Sequence, residues 1–191
     1  KTAGLPVMGL SPLQHQLLLA MPNQAGTYFG NPLTYICDHN DQGTLGLMIN
    51  RPTDIALTEF LVQFDCATNV AADLVVLEGG PVQQERGFVL HSTDVQTTGS
   101  TPIGNDLLLT ASREILEIIG TGDGPKQFMV ALGYAGWGEG QLEHELANNA
   151  WLTVPASNEI LFDTPFDQRI DSAAKSLGID FQLMSPHLGH A

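Results

Sequence analysis

Positive charge is the scarcest feature of this 191-residue chain, which has seven Lys and Arg against 21 Asp and Glu and a formal net charge of −14. Duplex nucleic acid is bound chiefly by Lys and Arg side chains that neutralise phosphates, and here the seven are spread along the whole length. Anionic membrane surfaces require the same side chains. We therefore expect no direct nucleic-acid binding and no membrane docking.

Cysteine and long apolar runs are also scarce. The two cysteines, Cys37 and Cys66, are too few for a disulfide framework at this length. Apolar stretches fall far short of the roughly 20 residues that cross a bilayer, and no signal-peptide core is found, so a cytoplasmic location is expected. No Cys or His spacing matches a structural zinc site. We predict neither a metal nor a cofactor.

Repeats, low-complexity tracts and long linkers are absent as well, so the sequence indicates no internal domain boundary. What the chain has is a hydrophobic content of 43%, in short apolar runs along its whole length. A chain of this size buries on the order of 70% of its unfolded surface as one globular domain. We predict a single domain over residues 13–191, preceded by a flexible N-terminal segment at residues 1–12.

Two hydrophobic periodicities alternate along the chain. Apolar and β-rich runs predict strands at residues 13–20, 33–39, 44–50, 74–77, 87–91, 106–109, 126–132, 151–154 and 159–162. Helical spacing predicts four helices, at residues 56–64, 113–119, 141–149 and 167–177. The polar residues 40–43 predict a hairpin turn. Because paired strands without intervening helices dominate the first half, we predict the α+β class.

The helix ends have their own signals. Thr53 or Asp54 would cap the first predicted helix, and Thr110 or Ser112 would cap the second. Gly120 fits the left-handed position at which the second helix would stop.

A glycine-rich segment, residues 133–140, is the most distinctive local feature. It follows a predicted strand and opens a predicted helix, a context in which backbone amides can bind phosphate. Its spacing matches neither the dinucleotide nor the P-loop motif, and Glu139 would place a negative charge beside the phosphate. We favour tight backbone geometry, with Tyr134 and Trp137 folded over the core. On the helix that follows, Gln141, Glu145 and Asn149 share one face, which either lines a cleft or is solvated.

Two arginines stand at predicted strand ends. Arg51 and Arg86 either pair with carboxylates or form a small anion site, since guanidinium groups suit carboxylate and phosphate. The neighbouring Gly79 and Gly80 could supply backbone donors to such a site.

A thiol and an imidazole suggest a second kind of chemistry. Cys37 and His39 lie two residues apart on a predicted strand and would point to the same side, which could activate a nucleophile. His91 is a possible third member. No acid or oxyanion donor is identifiable, so a structural role for these residues is favoured over a catalytic one.

The sequence resembles the YqgE/AlgH family of uncharacterised bacterial proteins from about residue 13 to the end. The matching segments, in chain order, are Leu18-Leu19-Ala20-Met21-Pro22, Tyr35-Ile36-Cys37-Asp38-His39-Asn40, Gly43-Thr44-Leu45-Gly46-Leu47-Met48-Ile49-Asn50-Arg51-Pro52, Gly79-Gly80-Pro81-Val82, Arg86-Gly87-Phe88-Val89-Leu90-His91, Ala131-Leu132-Gly133-Tyr134-Ala135-Gly136-Trp137, Gly140-Gln141-Leu142-Glu143, Asn149-Ala150-Trp151-Leu152 and Gly189-His190-Ala191. Gly30 and Asn31 depart from it, because the family commonly has basic residues there.

The resemblance implies one domain with a mixed, partly barrel-like β-sheet surrounded by about four α-helices, and no known reaction. A family label of transcriptional regulator would fit an indirect role, because the charge argues against DNA contact. We predict a domain that binds a small anionic ligand or a protein partner, of unknown oligomeric state. Its expected site is Asn50, Arg51, Gly79, Gly80, Arg86, Gly136, Trp137, Gln141 and Glu145. An enzyme using Cys37, with His39 or His91, is the alternative.

Overall fold

The computed structural model describes residues 13–21 and 31–178 of the chain. Two units are distinguished by their internal contacts, residues 1–50 with 136–191 and residues 51–135. The predicted flexible segment 1–12, Gly30 and the C-terminal residues 189–191 lie outside the described residues. The prediction of one domain over residues 13–191 stays a prediction.

Strands and helices are both well represented, which confirms the α+β class. The strands are β1 (Gln16–Ala20), β2 (Leu33–Asn40), β3 (Gly43–Met48), β4 (Pro52–Ala56), β5 (Val75–Glu78), β6 (Val82–Ser92), β7 (Thr101–Ile103), β8 (Leu107–Thr110), β9 (Phe128–Trp137) and β10 (Trp151–Pro155). The helices are α1 (Leu57–Gln63), α2 (Arg113–Thr121), α3 (Gln141–Ala147) and α4 (Arg169–Ser176). No helix in the described ranges is long and apolar enough to span a bilayer.

The first unit is built on an antiparallel ladder in the order β10, β1, β2, β3. The hairpin of β2 and β3 turns where the polar residues 40–43 predict it. Successive leucines of β1, Leu17 to Leu19, are fully buried, which shows that both faces of this strand are covered. A small core of Leu18, Ile36 and Leu142 ties α3 to the ladder.

The second unit is centred on residues 128–135 of β9, which pair antiparallel with β6 and parallel with β5. Strand β6 pairs in turn with β8, and β8 with β7, while β4 pairs with β5. Helices α1 and α2 pack on this sheet through an apolar cluster. That cluster consists of Leu57, Phe60, Leu61, Val76, Val89, Ile115, Leu116, Ile119 and Val130.

The predicted caps of α1 are wrong. Thr53 and Asp54 lie in β4, which the sequence did not indicate, and Ala56 takes the N-cap position instead. The Glu59 carboxylate accepts a hydrogen bond from the Ala56 amide at 3.0 Å. The Thr53 hydroxyl instead donates to the Val76 carbonyl on β5 at 2.6 Å, so it does not cap the helix.

Ser112, one of the two predicted N-cap residues, takes the N-cap position of α2, whereas Thr110 lies in β8, and the helix ends two residues later than expected. The left-handed residue is Gly122, at φ 92°, and Gly120 lies inside the helix. A Cβ at position 120 would lie 2.2 Å from the Ala67 carbonyl oxygen. Gly120 is therefore required for close approach of the chain and not for helix termination.

The glycine-rich segment is largely strand, which corrects the predicted end of the strand at residue 132. Strand β9 continues through Trp137, and residues 138–140 alone connect it to α3. At Gly133 φ is 75°, and a Cβ would lie 2.4 Å from the Gly80 carbonyl oxygen. The glycines thus permit close packing of neighbouring backbones, as the favoured interpretation of the sequence held.

The strand predicted at residues 159–162 is also wrong, since Glu159–Asp163 forms a single π-helical turn. Its two apolar neighbours, Ile160 and Leu161, are both buried. A strand would point them to opposite faces, whereas a helical turn can bury both against one surface. Strand β10 pairs with β1 instead.

Candidate functional site

The Glu145 carboxylate accepts hydrogen bonds from two predicted site residues, Trp137 and Gln141, and from Trp151. Its Oε1 accepts from the indole nitrogens of Trp137 at 3.0 Å and Trp151 at 2.8 Å. Its Oε2 accepts from Gln141 at 3.0 Å. These bonds, led by that of Trp151, lower the pKa of Glu145 against the opposing effect of burial.

Two further contacts stabilise the same cluster, one between the indole rings and one at the connection between β9 and α3. The two indole rings meet edge to face with centroids 5.9 Å apart. The Gln141 side-chain oxygen accepts from the Gly138 amide at 2.9 Å, which fixes the connection between β9 and α3. The structure therefore brings Trp137, Gln141 and Glu145 together, with their polar atoms bonded to one another.

Asn50 is similarly occupied. Its side-chain oxygen accepts from the Leu33 amide at 2.9 Å, and its nitrogen donates to the Asn31 carbonyl at 3.0 Å. Gly136 lies near the C-terminal end of β9, within the same unit. These bonds stabilise the first unit.

Arg51, Gly79 and Gly80 lie in the second unit, at the ends of β4 and β5. The Gly79 amide donates to the Leu132 carbonyl at 2.7 Å, so it serves backbone pairing. Gly80 is buried, and a Cβ there would lie 2.1 Å from the Tyr134 carbonyl carbon. The Arg51 carbonyl accepts from the Glu78 amide at 2.8 Å.

Cys37 is almost completely buried on β2, at 1% exposure. Burial, and then the nearby Asp38 charge, raise the pKa of its thiol. The thiol donates to the Tyr35 carbonyl at 3.9 Å, and a β-bulge between Ile36 and Asp38 interrupts the strand pairing here. A thiol in this setting is a poor nucleophile, because the thiolate is the reactive form.

The imidazole of His39 makes two contacts of its own. Its Nδ1 lies 2.6 Å from the Thr44 hydroxyl and its Nε2 lies 3.2 Å from the Glu143 carboxylate. These contacts link the β2–β3 hairpin to α3 within the first unit.

His91 is fully buried on β6, and burial lowers its pKa. Its Nδ1 must donate to the Ser92 carbonyl at 2.8 Å, because a carbonyl can only accept. The neutral Nε2 therefore accepts from the Thr110 hydroxyl at 2.8 Å, and Thr110 in turn contacts the Ser100 hydroxyl at 2.7 Å. His91 is thus a neutral, hydrogen-bonded core residue.

A pocket of about 200 Å³ opens between α1, α2 and β6 in the second unit. Four side chains form an apolar floor: Phe60, Phe64, Val89 and Leu116. The rest of the described lining is Glu85, Arg86, Gly87, Ala111, Ser112 and Arg113. Of the residues predicted to bind a ligand, Arg86 is the one that lines this pocket.

Arg86 lines the pocket from an irregular stretch of β6. The pairing of β6 with β9 is irregular between Val82 and Gly87, and Gln83 adopts a left-handed φ of 51°. Arg86 donates to the Gln83 side-chain oxygen at 3.3 Å, and its guanidinium carbon lies 5.1 Å from the centroid of the Phe88 ring. Bulges commonly re-aim a side chain beside a functional site, and strained backbone clusters at such sites.

Arg113 reaches the pocket from the first position of α2. One of its nitrogens donates to the Phe64 carbonyl at 2.6 Å, and another pairs with Glu117 one turn along the helix. Ser112 precedes it as N-cap, but its hydroxyl makes no capping bond and is buried without a hydrogen-bond partner among the described residues. The positive end of the α2 dipole therefore faces this region without a side-chain cap.

Sequence reasoning missed Arg113 as a site residue. The sequence did contain a signal. Arg113 follows Ser112, a predicted N-cap candidate, and an arginine in the first turn of a helix opposes the helix macrodipole, so its presence there suggests a role other than helix stability. Nothing in the linear spacing of Arg86 and Arg113 indicates that β6, β8 and α2 bring both to one pocket.

The fold is shared with known proteins. The DUF179 (AlgH-like) family model matches residues 17–182 of this chain. The chain belongs to the AlgH-like family. Among UPF0301 relatives, one from Thioalkalivibrio sulfidiphilus is 49% identical over 178 residues, covering 93% of this chain and 96% of that protein. One from Nitrosospira multiformis is 45% identical over 181 residues, covering 94% and 97%.

Two solved structures share the fold. The solution structure of the AlgH protein from Pseudomonas aeruginosa is similar at 41% identity, with a TM-score of 0.76 over 95% of this chain and 98% of that one. A crystal structure of a Corynebacterium diphtheriae protein, at 19% identity and a TM-score of 0.68 over 92% and 93%, shares the fold. The YqgE/AlgH resemblance is confirmed. Because this is a family of uncharacterised bacterial proteins, membership establishes a fold and not a reaction.

Proposed function

We propose that this protein is a small-ligand-binding domain that takes an organic anion in the pocket between α1, α2 and the bulge of β6. One observation carries the proposal. The chain has four arginines among 191 residues, and two of them, Arg86 and Arg113, line a single pocket with an apolar floor. Small-molecule sites commonly combine apolar walls with a few placed polar groups.

The pocket divides into two parts of different chemistry. Phe60, Phe64 and Leu116 supply aromatic and aliphatic surface, which favours the hydrocarbon part of a ligand. Arg86 supplies charged donors at the rim, and the uncapped start of α2 adds a favourable potential for an anion. A ligand with one anionic end and one apolar end fits both parts.

A regulatory role would then be indirect, through ligand or partner binding. The net charge of −14 supports this, because direct DNA contact would require a basic face. A cytoplasmic location stays a prediction from the sequence. The alternative enzyme hypothesis has less support, because burial raises the pKa of the Cys37 thiol and lowers the pKa of His91, whose two ring nitrogens are both hydrogen-bonded within the core.

Calorimetric titration tests the proposal with benzoate and phenyl phosphate as anions and benzyl alcohol as the neutral control. At least one anion is expected to bind wild-type protein. Arg86→Gln should weaken that binding about tenfold, since a charge-assisted hydrogen bond contributes about 1.5–3 kcal/mol. Lys126→Gln removes the same charge from a residue outside the described pocket lining and should leave the affinity unchanged.

Binding that is equal in wild type, Arg86→Gln and Lys126→Gln would contradict this assignment of the pocket. So would the absence of binding by both anions.

A further inference from the structure

We infer that the pocket selects one-ring or short-chain monocarboxylates over phosphates. This specificity rests on the proposed function and adds to it the chemical class of the ligand. Three features of the pocket carry the inference: the number of uncompensated positive charges, the geometry of the Arg86 guanidinium, and the size of the apolar floor.

The charge count favours a monoanion. Arg113 already pairs with Glu117, whereas Arg86 has no carboxylate within ion-pair distance among the described residues. One guanidinium can therefore balance one negative charge of a ligand. A second charge on a phosphate would face Glu85 in the lining and Glu117 behind Arg113. These charges lie at exposed positions, so solvent and salt screen part of that repulsion, and the remainder still opposes a dianion.

The geometry of Arg86 favours a planar head group. Its guanidinium lies over the Phe88 ring, with one nitrogen bonded to Gln83. No other described acceptor bonds this guanidinium, which leaves N–H donors along its edge. Two parallel N–H donors match the two oxygens of a carboxylate in one plane. A carboxylate at the rim of the pocket that reaches these donors can make a bidentate contact with Arg86.

The floor offers apolar surface for about one ring of the ligand. The Phe60 and Phe64 rings are tilted against each other with centroids 5.0 Å apart, and Val89 and Leu116 complete the surface. An apolar cavity of about 150 Å³ holds benzene. The volume of about 200 Å³ therefore accepts one ring with a carboxylate. Drug-sized ligands and nucleotides need roughly 300 Å³ or more.

Calorimetry at pH 8 tests this specificity, because phenyl phosphate is then a dianion. Wild-type protein is expected to bind benzoate at least about tenfold more tightly than phenyl phosphate. It should bind 2-naphthoate more weakly than benzoate. Both differences should be measured on the complete chain, with Arg86→Gln as the variant that shows binding to occur in this pocket.

A pair of variants on α2 tests the role of charge. Glu117→Gln releases Arg113 from its ion pair, so phenyl phosphate should gain about fivefold relative to benzoate. Glu114→Gln removes the same charge from the same helix, but Glu114 pairs with no cation among the described residues. This control should leave the ratio of the two affinities unchanged. Equal behaviour of the two variants would overturn the charge argument.

Other outcomes separate this inference from the proposed function. If phenyl phosphate binds more tightly than benzoate and Arg86→Gln weakens it, the monocarboxylate class is wrong while anion binding stands. A carboxylate can also come from a protein C-terminus, so a tetrapeptide ending in phenylalanine is a necessary arm. Tighter binding of that peptide than of benzoate would overturn a free small molecule as the ligand. If no anion binds through Arg86, both conclusions fail.

Discussion

The Glu145 cluster of the first unit and the Arg86 pocket of the second differ in how their polar groups are satisfied. In the cluster, two indoles and an amide are bonded to one carboxylate, and the rings pack on each other. In the pocket, a strained bulge presents an arginine that has one described hydrogen bond, and a helix start has no cap. Groups bonded to each other stabilise a fold, whereas groups left with spare donors can recognise a ligand.

The largest effect is expected inside the glycine-rich segment, where stabilising contacts can be separated from backbone strain. Gly133 and Gly140 have nearly the same φ, 75° and 72°, but a Cβ would clash with the Gly80 carbonyl at position 133 and meet nothing within 4 Å at position 140. Gly133→Ala should lower the free energy of unfolding by about 3 kcal/mol and Gly140→Ala by about 1 kcal/mol. Urea denaturation measures both, and equal losses would show that packing at Gly133 is not limiting.

The next effect tests whether the Glu145 cluster is structural. Glu145→Ala leaves two indole nitrogens and an amide without their acceptor, so we expect a loss of about 2 kcal/mol in unfolding free energy. Glu143→Ala on the same exposed turn removes the contact with His39 and should cost no more than about 0.5 kcal/mol. If the Glu145 variant is as stable as the Glu143 variant, the cluster belongs with the ligand-binding residues after all.

A smaller effect concerns pH and His91, a satisfied polar group in the second unit. Burial places its folded-state pKa below the unfolded value of about 6.5, so the unfolded chain binds protons first. Stability is therefore fully present above that value and is lost as the pH falls toward the folded pKa. The urea midpoint should be lower at pH 5.5 than at pH 7.5.

His91→Gln should flatten that dependence, and His144→Gln, at an exposed position of α3, should retain it. This window lies above the carboxylate range, because the lowered pKa values of Asp94 and Glu145 move their contributions to more acidic conditions. A wild-type slope that survives in His91→Gln would assign the effect to another group.

The smallest effect on stability is expected at the pocket itself. Arg86 contacts Gln83 and Phe88 at an exposed position, so Arg86→Gln should change the free energy of unfolding by no more than about 0.5 kcal/mol. A loss comparable to that of Glu145→Ala would mean that Arg86 is a structural residue. The comparison between the two regions would then no longer hold.

Sequence patterns were reliable where local periodicity and packing agree. The stripe of α2 and the β2–β3 hairpin follow directly from apolar spacing and a polar turn. Sequence patterns failed where contacts with residues distant in the chain decided the conformation. Thr53 bonds to Val76, and the apolar pair of Ile160 and Leu161 forms a helical turn although its composition favours a strand.

The sequence by itself determined the α+β class and the family, and it predicted Arg86 as a ligand-binding residue. These follow from composition, periodicity and residue identity, which need no knowledge of distant contacts. Tertiary structure alone decided that Arg113 joins Arg86, that Glu145 is enclosed by two indoles, and that β9 runs through the glycines. Strand pairing and helix packing set which side chains meet across long stretches of chain, and linear spacing does not encode those distances.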